Sequence, residues 1–383
     1  MVVLNDFYRK VARVAGNLII VWLLFLPISI AQPQKVKELT PDGPYIIHKT
    51  HILSRFIRVD EKGKILDTLV PKNYYSRFIV SSDNSKYQFR VQLHNFDREK
   101  SKQRSPDKLF VISDPHADLE SFLAILKTGK IIDNNLNWIY SKNQLLILGD
   151  VFDRGDDVTT IFWLIYKLEK EASLAGGKVH FLIGNHESMV LQNNMKYVTQ
   201  KYISLANRLS VKYSELWSSN TELGKWLRSK NTIKIIGKTL FVHGGISEEL
   251  MKSGLQINEI NRDVSINLGL SGDELKKKGE KAEIIFGNLG PLWYRGMVLN
   301  DEKYFPISQV KIENILKRFK VNRIVVGHTT LDYVTSHHSG KVISIDASSI
   351  NDPEKHLGGA ILIEHDKIFV VNANGKISEI TTL

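Results

Sequence analysis

Five short apolar runs in this chain each end in the same kind of chemistry. Residues 109–112 lead into Ser113-Asp114-Pro115-His116, and 145–148 into Gly149-Asp150, with Asp153-Arg154-Gly155 just beyond. Residues 179–183 lead into Gly184-Asn185-His186-Glu187, 239–242 into His243-Gly244-Gly245, and 323–326 into Gly327-His328-Thr329. Runs of four or five apolar residues bounded by turn formers read as strands buried on both faces, and helical stretches between several of them argue for an α/β core. In such folds ligands gather outside the carboxyl ends of strands. A carboxylate backed by an apolar wall, as Asp150 is, calls for a cation. One histidine after one strand is ordinary. Five strand ends offering Asp114, His116, Asp150, Asn185, His243 and His328 read as a metal site, with His186 and the Asp153-Arg154 pair beside it. Imidazole, carboxylate and amide oxygen suit hard-to-borderline divalent ions, and the chain has no cysteine to favour soft ones.

The blocks SDPHAD, GDVFDRG, GNHE, HGG and GHT, in that order, resemble the signature blocks of the calcineurin-like metallophosphoesterases, in the phosphoprotein phosphatase branch. The stretch Gly290-Pro291-Leu292-Trp293-Tyr294-Arg295-Gly296, with the GHT that follows, most resembles the bacterial-type Shewanella-like phosphatases. Ala117 stands where the family places a glycine. The resemblance covers about 108–373 and implies a sandwich of two mixed sheets flanked by helices. It also implies two divalent metal ions, manganese foremost with iron or zinc as alternatives. Asp114, His116 and Asp150 would hold one ion; Asp150, Asn185, His243 and His328 would hold the other. Such a pair activates a water for in-line attack on phosphorus. Arg154 and Arg295 would grip phosphoryl oxygens. His186 would protonate the leaving oxygen, oriented by Asp153. The implied activity is that of a metal-dependent phosphomonoesterase, protein phosphatase-like. Its alternatives are a nucleotide or dinucleoside-polyphosphate hydrolase and, in another class, a non-catalytic binding protein on the same fold. Glu187 belongs to the GNHE block and is expected to support neighbouring backbone.

The amino terminus reads differently from the rest. Arg9, Lys10 and Arg13 precede an apolar run at 18–26, then Pro27 and Ser29-Ile30-Ala31, the pattern of a secretory signal peptide over 1–31. Residues 14–31 are alternatively an uncleaved membrane anchor. The expected location is therefore periplasmic or secreted, from a bacterium, and the absence of any N-x-Ser/Thr acceptor agrees with this. Without cysteines, stability rests on the core rather than on disulfides. The formal net charge of +11 favours anionic partners. Its basic residues are scattered and carry no nucleic-acid motif, so a phosphorylated substrate is the expected partner and nucleic acid is not.

Between the leader and the motifs, 32–107 reads as a small β-rich appendage that either covers an edge of the main sheet or binds a partner, its DEKG at 60–63 a hairpin turn and 98–106 a polar linker. The catalytic domain is expected over 108–383. Asp118 is positioned to cap a helix ending at Gly129, and a second helix spans about 157–174. A helical insert at about 188–230 joins the GNHE block to the HGG strand, either as a roof over the site or as an ordinary helical pair.

Overall fold

The computed structural model describes residues 39–383 apart from 73, 348–358, 373–374, 376 and 381–383. The expected leader lies outside the described residues. Among the described residues no helix is long and apolar enough to cross a membrane.

Strands β1 (Asp42–His48), β2 (Leu53–Val59) and β3 (Ile65–Pro71) form an antiparallel sheet, and β4 (Arg77–Ser81) pairs with β5 (Gln88–Gln92). Asp60 makes the β2–β3 turn by accepting the N–H groups of Lys62 and Lys64, each at 2.9 Å. β3 was not expected from the sequence. Most of its side chains are exposed, and full-length pairing with β2 holds it instead. This layer is not an appendage on a sheet edge. It covers the outer face of the helix Val158–Leu174, where Trp163 Nε1 donates to Pro44 O at 3.0 Å and the Phe78 ring meets Trp163 edge-on at 4.8 Å. Every residue of that helix from 158 to 168 is consequently buried. Leu39–Leu383 makes one compact unit. Nor is 98–106 only a linker: β6 (Lys102–Gln103) pairs in parallel with Ile235 and Ile236.

β7 (Lys108–Ile112), β8 (Gln144–Ile147) and β9 (Lys178–Phe181) are parallel neighbours. β10 (Ile233–Ile236) and β11 (Thr239–Val242) form a hairpin, and β12 (Arg323–Val326), β13 (Thr335–His337) and β14 (Val342–Ser344) complete a six-stranded sheet of order β13-β14-β12-β11-β10-β6. β15 (Ala360–Glu364), β16 (Lys367–Val371) and β17 (Ile377–Glu379) complete the other, of order β17-β16-β15-β7-β8-β9. Successive strand residues point to opposite faces. Leu109, Val111, Leu146, Leu148, Phe241 and Val325 belong to one apolar cluster between the sheets. Phe110, Ile112, Leu145, Ile147, Val242 and Val326 belong to the larger cluster under the helices. Both faces are covered, which is why these strands read as unbroken apolar runs. The helix Leu119–Thr128 starts as expected, with Asp118 Oδ1 accepting the Ser121 N–H at 3.1 Å and Gly129 at its end.

Candidate metal centre

β7, β8 and β9 run the same way, as do β11 and β12, so the loops at their carboxyl ends meet along one edge of the sandwich. The turns there are sharp. Asp114, His116, Asp150, Asp153, Arg154 and His328 all have positive φ, from 42° to 72°, although none is glycine. Each such residue costs about 1–3 kcal/mol, and conformations of this kind persist only where surrounding contacts over-determine them. The β8 and β9 ends press closely enough that a Cβ on Gly184 would lie 2.2 Å from Asp150 Oδ1. Glu187, buried beneath them, holds the two ends together. Its carboxylate accepts the N–H groups of Asp150 and Val151 at 2.9 Å and of Gly184 at 2.8 Å.

Asp150 is the hub. Its Oδ1 accepts the His186 N–H at 2.9 Å, while Oδ2 lies 3.2 Å from His243 Nε2, 3.8 Å from His186 Nε2 and 4.0 Å from His116 Nε2. Three of the imidazoles are aimed by backbone carbonyls. His243 Nδ1 bonds Leu148 O at 2.6 Å, His116 Nδ1 bonds Phe152 O at 3.0 Å, and His328 Nε2 bonds Trp293 O at 3.0 Å. Anchoring one ring nitrogen as a donor leaves the other with a lone pair, which is how metal-ligating histidines are prepared. His186 is different. Its Nδ1 pairs with a carboxylate, Asp153 Oδ2, at 2.6 Å.

Two groups of donor atoms, each within 4.8 Å of one another, are suited to hold an ion: His116, Asp150 and His186, and Asp150, His243 and His328. Asp150 is common to both. Asn185 Oδ1 joins the second at 2.8 Å from His243 Nε2. The electrostatics ask for positive charge. Burial pushes the His243 imidazolium down, but the Asp150 and Asp114 carboxylates outweigh it and hold the pKa up at about 10. Burial and the neighbouring Asp346 and Asp150 carboxylates push Asp114 well above the usual carboxylate range. Burial depresses His116 to about 4 and His328 well below the ordinary value, keeping both rings neutral and able to ligate. Donor chemistry, anchoring and charge all fit a pair of divalent cations.

Most of the residues expected at the site are therefore brought together, with two differences in detail. Asp114 stands outside both donor groups. Its Oδ2 is turned to the Ser113 hydroxyl and to the His328 N–H at 3.1 Å. His186, expected as an acid, is near enough to count among the donors, and only its carboxylate partner sets it apart. Arg154 is exposed and Arg295 half-buried, with Arg295 Nη1 donating to His328 O at 2.6 Å. Arg154 acts electrostatically on His116 and Arg295 on His328, so one guanidinium flanks each group. Two neighbours were missed. Asp346 is buried, accepting from Thr330 Oγ1 at 2.7 Å, and Tyr197 sets its half-exposed ring 5.3 Å from that of His186. Residues 342–346, Val-Ile-Ser-Ile-Asp, are a sixth apolar run ending in an acid, interrupted only by Ser344.

Residues 108–331 match the calcineurin-like phosphoesterase family model. The chain is 31% identical over 224 residues to Shewanella-like protein phosphatase 1 of Plasmodium berghei, covering 58% of this chain and 61% of that protein. With Shewanella-like protein phosphatase 2 of Arabidopsis thaliana it shares 25% identity over 287 residues, covering 63% and 71%. In three dimensions it is similar to the cold-active protein-tyrosine phosphatase of a psychrophile Shewanella sp., with a TM-score of 0.80 and 30% identity, covering 89% of this chain and 99% of that one.

Proposed function

This chain belongs to the calcineurin-like phosphoesterase family, and from that premise we propose that it is a protein phosphatase-like phosphomonoesterase working with two manganese ions. The observation that carries the reading is Asp150, shared between two groups of aimed imidazoles, with the His186–Asp153 pair beside it. His116 and Asp150, with Asp114 once its carboxylate turns in from Ser113 and the His328 N–H, would hold one cation, and Asp150, Asn185, His243 and His328 the other. When bound, such a pair supplies Lewis-acid polarisation and a water acidified toward neutrality. Oxygen and nitrogen donors without thiolate support manganese.

The chain's own residues account for the rest. Arg154 and Arg295 bind phosphoryl oxygens through planar guanidinium forks. Arg295 is restrained for this by its bond to His328 O. His186 carries a proton on Nε2 and delivers it to the leaving oxygen, while Asp153 holds Nδ1 and stabilises the imidazolium. Phosphotyrosine is the side chain we assign. The Shewanella neighbour is a protein-tyrosine phosphatase, and the Tyr197 ring beside His186 offers an aromatic face to a phenol leaving group. The leader at 1–31 supports export, which N-terminal sequencing of the native protein would check.

Purified protein with manganese should hydrolyse an aryl phosphate and phosphotyrosine peptides ahead of phosphoserine ones and of diadenosine polyphosphates, and should stop on chelation. Absence of monoester hydrolysis, or activity indifferent to chelator, would sink the reading. Preference for the polyphosphate would move it to a nucleotide hydrolase.

A further inference from the structure

The turn that carries Asp153 and Arg154 has two consecutive non-glycine residues at positive φ, 72° and 68°. Inside the turn the Gly155 N–H reaches Asp153 O at 2.9 Å, and Gly155 is wedged so closely against the preceding loop that a Cβ would lie 2.4 Å from Ala117 O. Holding such a conformation requires contacts from outside. They come from the helical insert. Tyr197 O accepts the Arg154 N–H at 3.1 Å, Thr199 Oγ1 donates to the Asp156 carboxylate, and Tyr202 OH donates to Asp156 O at 2.8 Å.

Lys201, in the helix Gln200–Leu209, draws the most parts together. It is only 6% exposed, yet its ammonium has three acceptors: Asp156 O at 2.8 Å, Pro41 O at 2.9 Å and Asp83 Oδ1 at 2.7 Å. Asp42 Oδ1 stands 3.8 Å away. Pro41 and Asp42 lie at the start of β1, and Asp83 lies in the β4–β5 turn. The Asp83 N–H also bonds Asp157 Oδ1 at 2.8 Å. One buried cation thus ties the N-terminal layer and the insert to the backbone just after Arg154.

We propose that Lys201 is a positioning residue for phosphate recognition, and that the N-terminal β layer serves, through it, to clamp the 153–157 loop. The loop sets where the exposed Arg154 guanidinium stands and how Asp153 faces His186. An ammonium suits the task because its three donors point in different directions and can satisfy a carboxylate and two carbonyls at once. The clamp's effect on catalysis rests on the phosphatase reading given above; the clamp itself does not.

The test compares wild type with Lys201→Met, which keeps length and apolar stem, and with Asp83→Asn, a milder change at a partly exposed partner. Amide exchange should quicken at least about tenfold at residues 154–158 in Lys201→Met, and less in Asp83→Asn, while β8 keeps its protection. With an aryl phosphate, KM should rise roughly tenfold in Lys201→Met with a smaller fall in kcat and unchanged metal content. Lys201→Arg, restoring charge and donors, should recover part of both effects. Unchanged exchange in the loop would overturn the proposal, as would exchange that quickens equally through β7 and β8. If wild type hydrolyses no phosphate ester, the functional reading fails while the exchange comparison still decides the clamp.

Discussion

Replacing Asp153 by asparagine isolates the proton-delivery role assigned to His186. The carboxylate and the imidazole are both buried, and Asp153 Oδ2 lies 2.6 Å from His186 Nδ1. Burial pushes the His186 imidazolium down, yet Asp150 and Asp153 together outweigh it and raise the pKa. Asparagine keeps the shape and an acceptor oxygen but removes one of those two charges. A hydrogen bond to a charged group is worth about 1.5–3 kcal/mol and a neutral one about 0.5–1.5, so the loss is about 1–2 kcal/mol. That corresponds to roughly 5- to 30-fold in rate at about 1.4 kcal/mol per decade. The loss should appear only where protonation of the leaving group matters. Turnover of a nitrophenyl phosphate should barely change, that of phenyl and alkyl phosphates should fall by the full factor, and metal content by mass spectrometry should stay constant. An equal loss with every leaving group, or a loss of metal, would show that Asp153 does something else.

Glu187→Gln should destabilise the fold by about 2–4 kcal/mol in urea, because the amide must turn an N–H toward at least one of three buried backbone donors; a change under about 0.5 kcal/mol would contradict the bracing role. Stability should fall with acid through the Glu99 cluster. Burial raises that carboxyl, but His180 and Lys234 outweigh it and hold it well below the usual carboxylate range. Its contribution is therefore complete above about pH 4.5 and lost as pH falls further, a loss that Glu99→Gln should abolish in acid denaturation curves. Gly155→Ala should lower activity by at least about tenfold, since its Cβ would meet Ala117 O at 2.4 Å; wild-type kinetics would mean the loop shifts freely. Chelation should lower the melting temperature and manganese should restore it, because cation removal leaves the Asp114, Asp150 and Asp346 carboxylates facing one another; an unchanged melting temperature would count against the cation pair.

The site was legible where burial on both faces forced strands to be purely apolar, so that Asp150, Asn185, His243 and His328 stand out as abrupt polar ends. Asp346 was hidden because Ser344 interrupts its run, though that serine is buried and bonds His337 Nε2 at 3.0 Å. β3 and β6 were invisible for a different reason. Their side chains are largely exposed, and pairing partners elsewhere in the chain, not their own pattern, make them strands. The insert's helical character was plain from sequence. That Lys201 would be buried among acceptors from three segments was not, because lysine is ordinarily a surface residue and its partners here lie about 45 to 160 positions away.

β7, which delivers Asp114 and His116, is flanked by β8 on one side and by β15 on the other, with Val111 opposite Ile361. Those two partners are separated by roughly 250 positions, so closing that pairing carries a large loop entropy and belongs to slow, non-local folding. During synthesis the strand bearing the first metal block leaves the ribosome long before its second neighbour exists. Until then one of its edges is open to any extended chain. The half-made chain is therefore adhesive, and a chaperone that shields a strand edge would serve it better than one that merely confines it.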